Sequence, residues 1–197
     1  ALVSTEMSRC IHCTRCVRFG EEVGGIAEIG GTGRGDHMEI GTYVQKSLSS
    51  ELSGNIIDLC PVGALLSKPF LYSARAWELQ SYLSIAPHDA VGSNIKIQTR
   101  NGKIMRVVPA DNEEVNESWI SDRDRFSYLG ANESRVTSPM VRNSSGNLVE
   151  TNWQAALDTV IKSFTEIIAT DGGSAVGAIA SPSSSVEEVY LLQKFMR

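Results

Sequence analysis

All four cysteines of this chain belong to one pattern. Cys10, Cys13 and Cys16 stand at C-x2-C-x2-C spacing, and Cys60 follows 44 residues after Cys16, directly before Pro61. Iron–sulfur clusters use this spacing, because a two-residue loop lets successive thiolates reach different corners of one inorganic cube. A cube of four irons needs a fourth thiolate, and Cys60 remains to supply it. The pattern therefore points to one [4Fe–4S] cluster held by Cys10, Cys13, Cys16 and Cys60. A structural zinc site, with His12 as a possible ligand, is the alternative. Zinc sites are also built from thiolates but usually arrive as two C-x2-4-C knuckles, a 2+2 arrangement. Two disulfides fit poorly, since a C-x2-C-x2-C run is awkward to pair internally.

In two-cluster ferredoxins the run is C-x2-C-x2-C-x3-C-P, and its fourth cysteine serves the other cluster. Here that position is Gly20, so the run sends no ligand to a partner cluster. Counting back from Cys60 with the same spacing gives Ser50, Ser53 and Ile56, none of them an ordinary ligand. The chain thus reads as a degenerate ferredoxin-like module that keeps one site and has lost the other.

The 197 residues suffice for one or two domains with a real core. A net charge of −5 gives nucleic-acid binding no electrostatic support. No apolar run reaches the length of a membrane span, and no signal-peptide pattern opens the chain. Thiolates kept as metal ligands suit a reducing compartment, so a cytosolic or matrix-side protein is expected. Both ends look cut. The chain starts without Met, just before the first ligand, and ends in an amphipathic pattern (Val186, Val189, Tyr190, Leu192, Phe195) with no stop signal. A fragment of something larger, exposing apolar surface, is expected.

Along the chain, residues 1–19 read as a short helical entry followed by the ligand loop. Arg9, Arg15 and Arg18 surround the cysteines and would offset the negative charge of a thiolate cluster or simply face solvent. Gly31-Thr32-Gly33-Arg34-Gly35-Asp36 lacks the Lys-Ser/Thr of a P-loop and the full G-x-G-x-x-G, and nucleotide binding is rejected there. Ile40–Val44 reads as a short strand. Residues 52–66 are helical around Ile56, Ile57 and Leu59 until the Cys60-Pro61 step, after which Val62, Ala64, Leu65 and Leu66 would shield the cluster. Ser93–Thr99 and Lys103–Val108 alternate around Asn101-Gly102, a β-hairpin signature. Farther on come a helix over Trp153–Ala169, a short strand over Ser174–Ala180, and a last helix capped by Ser183-Ser184-Ser185. With His12, His37 and His88 in no nucleophile motif, hydrolytic chemistry has no support.

These residues resemble a known family. Arg9–Phe19, Asn55–Leu65, Asp89–Ile95, Trp119–Arg123 and Pro139–Arg142 look like the large iron–sulfur subunit of respiratory complex I, the G subunit or 75 kDa subunit of NADH–quinone oxidoreductase. The resemblance implies an α+β fold in three parts. Residues 1–77 would be a ferredoxin-like [4Fe–4S] module. Residues 78–133 would be a small β-rich module resembling a molybdopterin-type [4Fe–4S] domain. Residues 134–197 would begin an α/β molybdopterin-oxidoreductase-like domain. It implies an electron-transfer subunit with no substrate-level site of its own, passing electrons from NADH and flavin through one [4Fe–4S] cluster towards quinone. It also implies a peripheral position on the cytoplasmic or matrix side of a membrane, without insertion. The partners would be the flavin/NADH-binding and quinone-proximal cluster subunits. In the middle module the family frame of C-x2-C-x3-C-x27-C falls on Ala86, Asp89, Ser93 and Ser121, with every thiolate gone. No second cluster and no molybdopterin are expected, although cysteines restored at those four positions would be expected to assemble one. A cluster subunit of an NAD-linked hydrogenase or formate dehydrogenase, and a zinc-stapled interaction domain, remain the alternatives.

Overall fold

A computed structural model describes residues 2–25, 27–42 and 48–197. The chain divides into two compact units, Ala1–Glu133 and Ser134–Arg197.

The first unit opens with β1 (Val3–Thr5), where the sequence suggested a helical entry. Three residues are too few for their alternation to be read, and the partner is distant. β1 pairs antiparallel with β4 (Leu65–Ser67), Thr5 opposite Leu65. The pairing stitches the start of the chain to the segment just past Cys60. A 3-10 turn, Met7–Arg9, leads into the ligand loop, and α1 (Arg15–Glu22) begins inside it. β2 (Ile29–Thr32) and β3 (Glu39–Thr42) form a two-stranded ribbon; Tyr43 and Val44 of the expected strand lie outside the described residues. The expected helix before Cys60 is α2 (Asn55–Leu59), stopped at the Cys60-Pro61 step.

A three-stranded antiparallel sheet follows, β5 (Gln80–Ile85), β6 (Asn94–Arg100) and β7 (Lys103–Pro109), in the order β5-β6-β7. The β6–β7 turn is made by Asn101 and Gly102, both at positive φ (52° and 74°), the geometry that gives an Asn-Gly hairpin its twist. α3 (Asp122–Phe126) and α4 (Tyr128–Ala131) lie against β7. One core joins Ala86, Ile95, Val107, Ile120 and Tyr128. The other joins Phe19, Ile56 and Leu65, with Cys16, Cys60 and Trp119 packed on it.

In the second unit, β8 (Met140–Arg142) and β9 (Leu148–Glu150) form a hairpin. α5 (Trp153–Asp171) is capped by the Asn152 side chain, which accepts from the Ala155 amide. α6 (Val186–Met196) is capped by a Ser185–Glu188 capping box, as its serine run predicts. The expected strand over Ser174–Ala180 is not formed. Gly173–Ala175 is a 3-10 turn, and among the described residues no ladder partner pairs with the run after it. An apolar run can propose a strand, but only a neighbour with free amides and carbonyls makes one.

Candidate metal centre

Cys10, Cys13, Cys16 and Cys60 line one hollow, together with Met7, Ile40, Val62, Ala64 and Leu65. The four thiols are free, with Cys13 exposed and the others half-buried. Among the described residues no three His, Cys, Asp or Glu side chains converge as ligands of a single ion do. The four cysteines share the lining of the hollow without forming such a group. His12 is exposed and does not line it.

The ligand loop bends through two strained residues. His12 (φ 53°) and Thr14 (φ 59°) both take the left-handed conformation without being glycine, at a cost on the order of 1 kcal/mol each. Such outliers cluster where the backbone must hold an unusual shape for function. Here they stand on either side of Cys13. The His12 amide donates to Cys10 Sγ at 3.4 Å. Thr14 is the residue before α1 and makes no side-chain cap.

Cys60 sits in a cradle. Gly63, at φ 64°, lets residues 62–65 fold back over the sulfur, and the Ala64 amide donates to Cys60 Sγ at 3.2 Å. Burial pushes the Cys60 thiol up, but the amides of Leu65, Val62, Ala64 and Gly63 outweigh it and hold it below its ordinary value. Burial raises Cys16, whose neighbours Cys13 and Cys10 add like charge; amides of Val17 and Cys16 oppose the shift. Ala64 and Leu65 are buried, as expected of the shield, and Val62 lines the hollow, whereas Leu66 lines a different cavity. Of the three nearby arginines only Arg15 lines the hollow. Arg18 pairs with Glu22 in the open, and Arg9 turns to the cavity that Leu66 lines.

The element that delivers Cys60 is held from far along the chain. Asn55, fully buried, donates to the Ile120 carbonyl at 2.9 Å and accepts from the Ile120 amide at 3.2 Å. Arg125, also buried, bonds Asn55 Oδ1 at 3.1 Å and forms an ion pair with Asp58 at 2.6 Å. Asp122 accepts from the Gly54 amide and the Ser53 hydroxyl. Burial raises its carboxyl against the pull of those two bonds and of Arg125. The Trp119 ring packs tilted against Phe19, centroids 4.9 Å apart, in the helix that carries Cys16. The segment 119–125 thus grips both ligand-bearing helices. None of this was legible in the sequence, where only the Gly63 that follows Cys60-Pro61 hints at the cradle. Of the vacated ferredoxin positions, Ser53 is used in this grip and Ile56 in the core.

Gly54 is required here for its missing side chain. A Cβ on it would lie 2.7 Å from Arg125 Cδ and 2.7 Å from Asp122 Oδ1. Gly54→Ala is therefore expected to destabilise the first unit by about 1–3 kcal/mol through forced displacement of the grip. Urea unfolding checks it; an unchanged midpoint would show that the contact yields freely.

The middle module shows what occupies its thiolate-free frame. The Asp89 carboxylate accepts from the amides of Val91, Gly92 and Ser93. Burial would raise this carboxyl, but the Ser93 hydroxyl and those amides together bring it below its ordinary range. The Ser121 hydroxyl caps α3 at Asp124, whose Oδ1 accepts from the His88 amide. Ala86 and Ser93 are buried. The donor set has no thiolate and does not fit a [4Fe–4S] cluster; a carboxylate now gathers the loop amides.

Three family models match the chain in sequence. Residues 1–66 match the ferredoxin-like domain of NADH-quinone oxidoreductase subunit 3. Residues 79–129 match the 4Fe-4S domain of NADH-ubiquinone oxidoreductase NDSU1/NuoG-like proteins, and residues 135–197 match molybdopterin oxidoreductase. The chain is 46% identical over 196 residues to the NADH-quinone oxidoreductase G subunit of Rickettsia conorii, an alignment covering 100% of this chain and 28% of the relative. It is 48% identical over 195 residues to the NADH-ubiquinone oxidoreductase 75 kDa subunit of Reclinomonas americana, covering 99% of this chain and 28% of the relative. The chain therefore spans 28% of the length of the curated relatives it matches. The α+β class agrees with the matched models and with the mix of helices and small sheets.

Proposed function

We infer that this chain, related from end to end to the large iron–sulfur subunit of NADH–quinone oxidoreductase, does the work of that stretch of the subunit: it carries electrons between NADH and quinone through one [4Fe–4S] cluster. The observation that carries the reading is the single hollow lined by all four cysteines. A cluster bound there supplies a one-electron carrier, and its potential depends on net charge, hydrogen bonds to sulfur and solvent access. The chain's own groups act on each of these. Cys10, Cys13, Cys16 and Cys60 bind. The His12 and Ala64 amides donate to sulfur. Arg15 offsets negative charge, and Ala64, Leu65 and Ile40 keep water from one side. No further acid, base or nucleophile is needed, because the cofactor carries the chemistry and the protein positions and tunes it.

On this reading residues 1–77 are the cluster module, residues 78–133 a cluster-free module that braces it, and residues 134–197 a molybdopterin-oxidoreductase-like stretch that works without molybdopterin. The partners are the flavin/NADH-binding and quinone-proximal cluster subunits, and the site is peripheral, on the cytoplasmic or matrix side. No helix among the described residues is long and apolar enough to cross a membrane.

The competing zinc reading makes a different prediction. Protein prepared without oxygen is expected to be brown and to carry about four irons and four sulfides per chain, as one cube requires. Elemental and sulfide analysis decides the matter: one zinc and no sulfide in a colourless protein would overturn the reading.

A further inference from the structure

Away from the cysteine hollow, the first unit carries a second cavity whose lining is basic. Arg9, Arg75, Arg100 and Arg106 face it, with Glu78 as the one carboxylate of the lining. Glu78 is already engaged: it pairs with Arg100 at 3.5 Å and accepts from the Arg75 amide at 2.8 Å. Arg106 lies 4.5 Å over the Phe70 ring, and its Nε donates to Gln98. Burial pushes the Arg106 guanidinium below its ordinary value, and the nearby charge of Arg125 adds to the shift against the attraction of Asp58. Half-buried positive charge without a carboxylate in contact is costly unless something anionic meets it.

Tyr72 lines this cavity and Trp77 lies outside its lining, against Arg75; folding alone rewards the position of neither. Tyr72 lines it at 95% exposure and at φ 60°, a left-handed backbone that a tyrosine adopts only under strain. Trp77 is 82% exposed, with the Arg75 guanidinium 6.0 Å from its ring. Tyrosine, tryptophan and arginine are the side chains that carry most of the binding energy at protein interfaces. The cavity measures about 650 Å³.

We propose that this face docks an acidic segment of a partner polypeptide, its carboxylates meeting Arg75, Arg100 and Arg106 and its apolar side chains meeting Tyr72 and Trp77. Arg75 lies in the 68–79 connection, Arg100 at the end of β6 and Arg106 in β7. Against the chain's net charge of −5, the basic lining gives an acidic segment complementary charge at this face.

The test uses the full chain and a fluorescent twelve-residue peptide of alternating Glu and Leu, followed by anisotropy. Binding that weakens with salt is expected, and a peptide with Gln in place of Glu should bind at least about tenfold more weakly. Arg75→Glu with Arg100→Glu should lower affinity at least about tenfold, and Trp77→Ser about fivefold or more. These positions are surface ones, and far-UV circular dichroism confirms the fold; if the double reversal disturbs it, Arg75→Gln alone carries the test with a smaller loss in the same direction. Equal binding by these variants overturns the proposal. So does displacement of the peptide by inorganic phosphate or a poly-uridine oligomer at the peptide's own concentration, which would make the cavity a small-anion or nucleic-acid site.

Discussion

A chain carrying Cys60→Ser is expected to lose its iron and sulfide as fully as one carrying Cys13→Ser, although Cys60 is remote from the ligand loop in sequence. Both side chains line the same hollow. The turn after Pro61 also aims its amides at the Cys60 sulfur and holds the thiol below its ordinary value against burial. Iron should fall from about four per chain towards none in both variants, with the broad visible absorption lost in parallel. His12→Ala, by contrast, should keep its iron, because that side chain does not line the hollow. A Cys60→Ser protein with full iron and an unaltered EPR signal on reduction would remove Cys60 from the ligand set.

Asn55→Ala is expected to unfold the first unit at much lower urea. Asn55 is fully buried and satisfies the amide and carbonyl of Ile120, the Leu52 carbonyl and one nitrogen of Arg125. Alanine strands the Ile120 amide and carbonyl in a site that excludes water, at roughly 1–3 kcal/mol each, while the Leu52 carbonyl keeps the residue-55 amide and Arg125 keeps Asp58. A total loss of about 2–6 kcal/mol follows, against a whole-domain stability of about 5–15 kcal/mol. Arg125→Ala should fall in the lower part of that range, since its partner Asp58 is 37% exposed and regains water. Urea titration should show a lower midpoint at unchanged slope. The same variants should release iron faster, because α2 delivers Cys60. A variant with lowered stability and unaltered iron retention would separate the grip from the metal centre.

Local features were legible in the order of residues alone. Three cysteines at two-residue spacing and a fourth before proline stand out as one set, and the four line one hollow. Asn101-Gly102 between two alternating runs names a hairpin, and Ser185 with Glu188 names a helix start, because each is settled by residues within one turn. The Cys60-Pro61 step likewise ends α2 where it is written. What holds the ligands in place was settled by contacts made only on folding. Asn55 meets Ile120, Arg125 meets Asp58, Trp119 meets Phe19, and β1 meets β4, each pair lying 60 or more residues apart. Periodicity shows which face of an element is apolar, but a buried Asn or Arg breaks that pattern and says nothing of its partner. The same limit produced the strand expected over Ser174–Ala180, where β propensity is local and the hydrogen-bonded neighbour is not. It also hid the basic cavity, whose arginines are scattered through the sequence and become one surface only when the ligand loop, the 68–79 connection and the hairpin fold against one another.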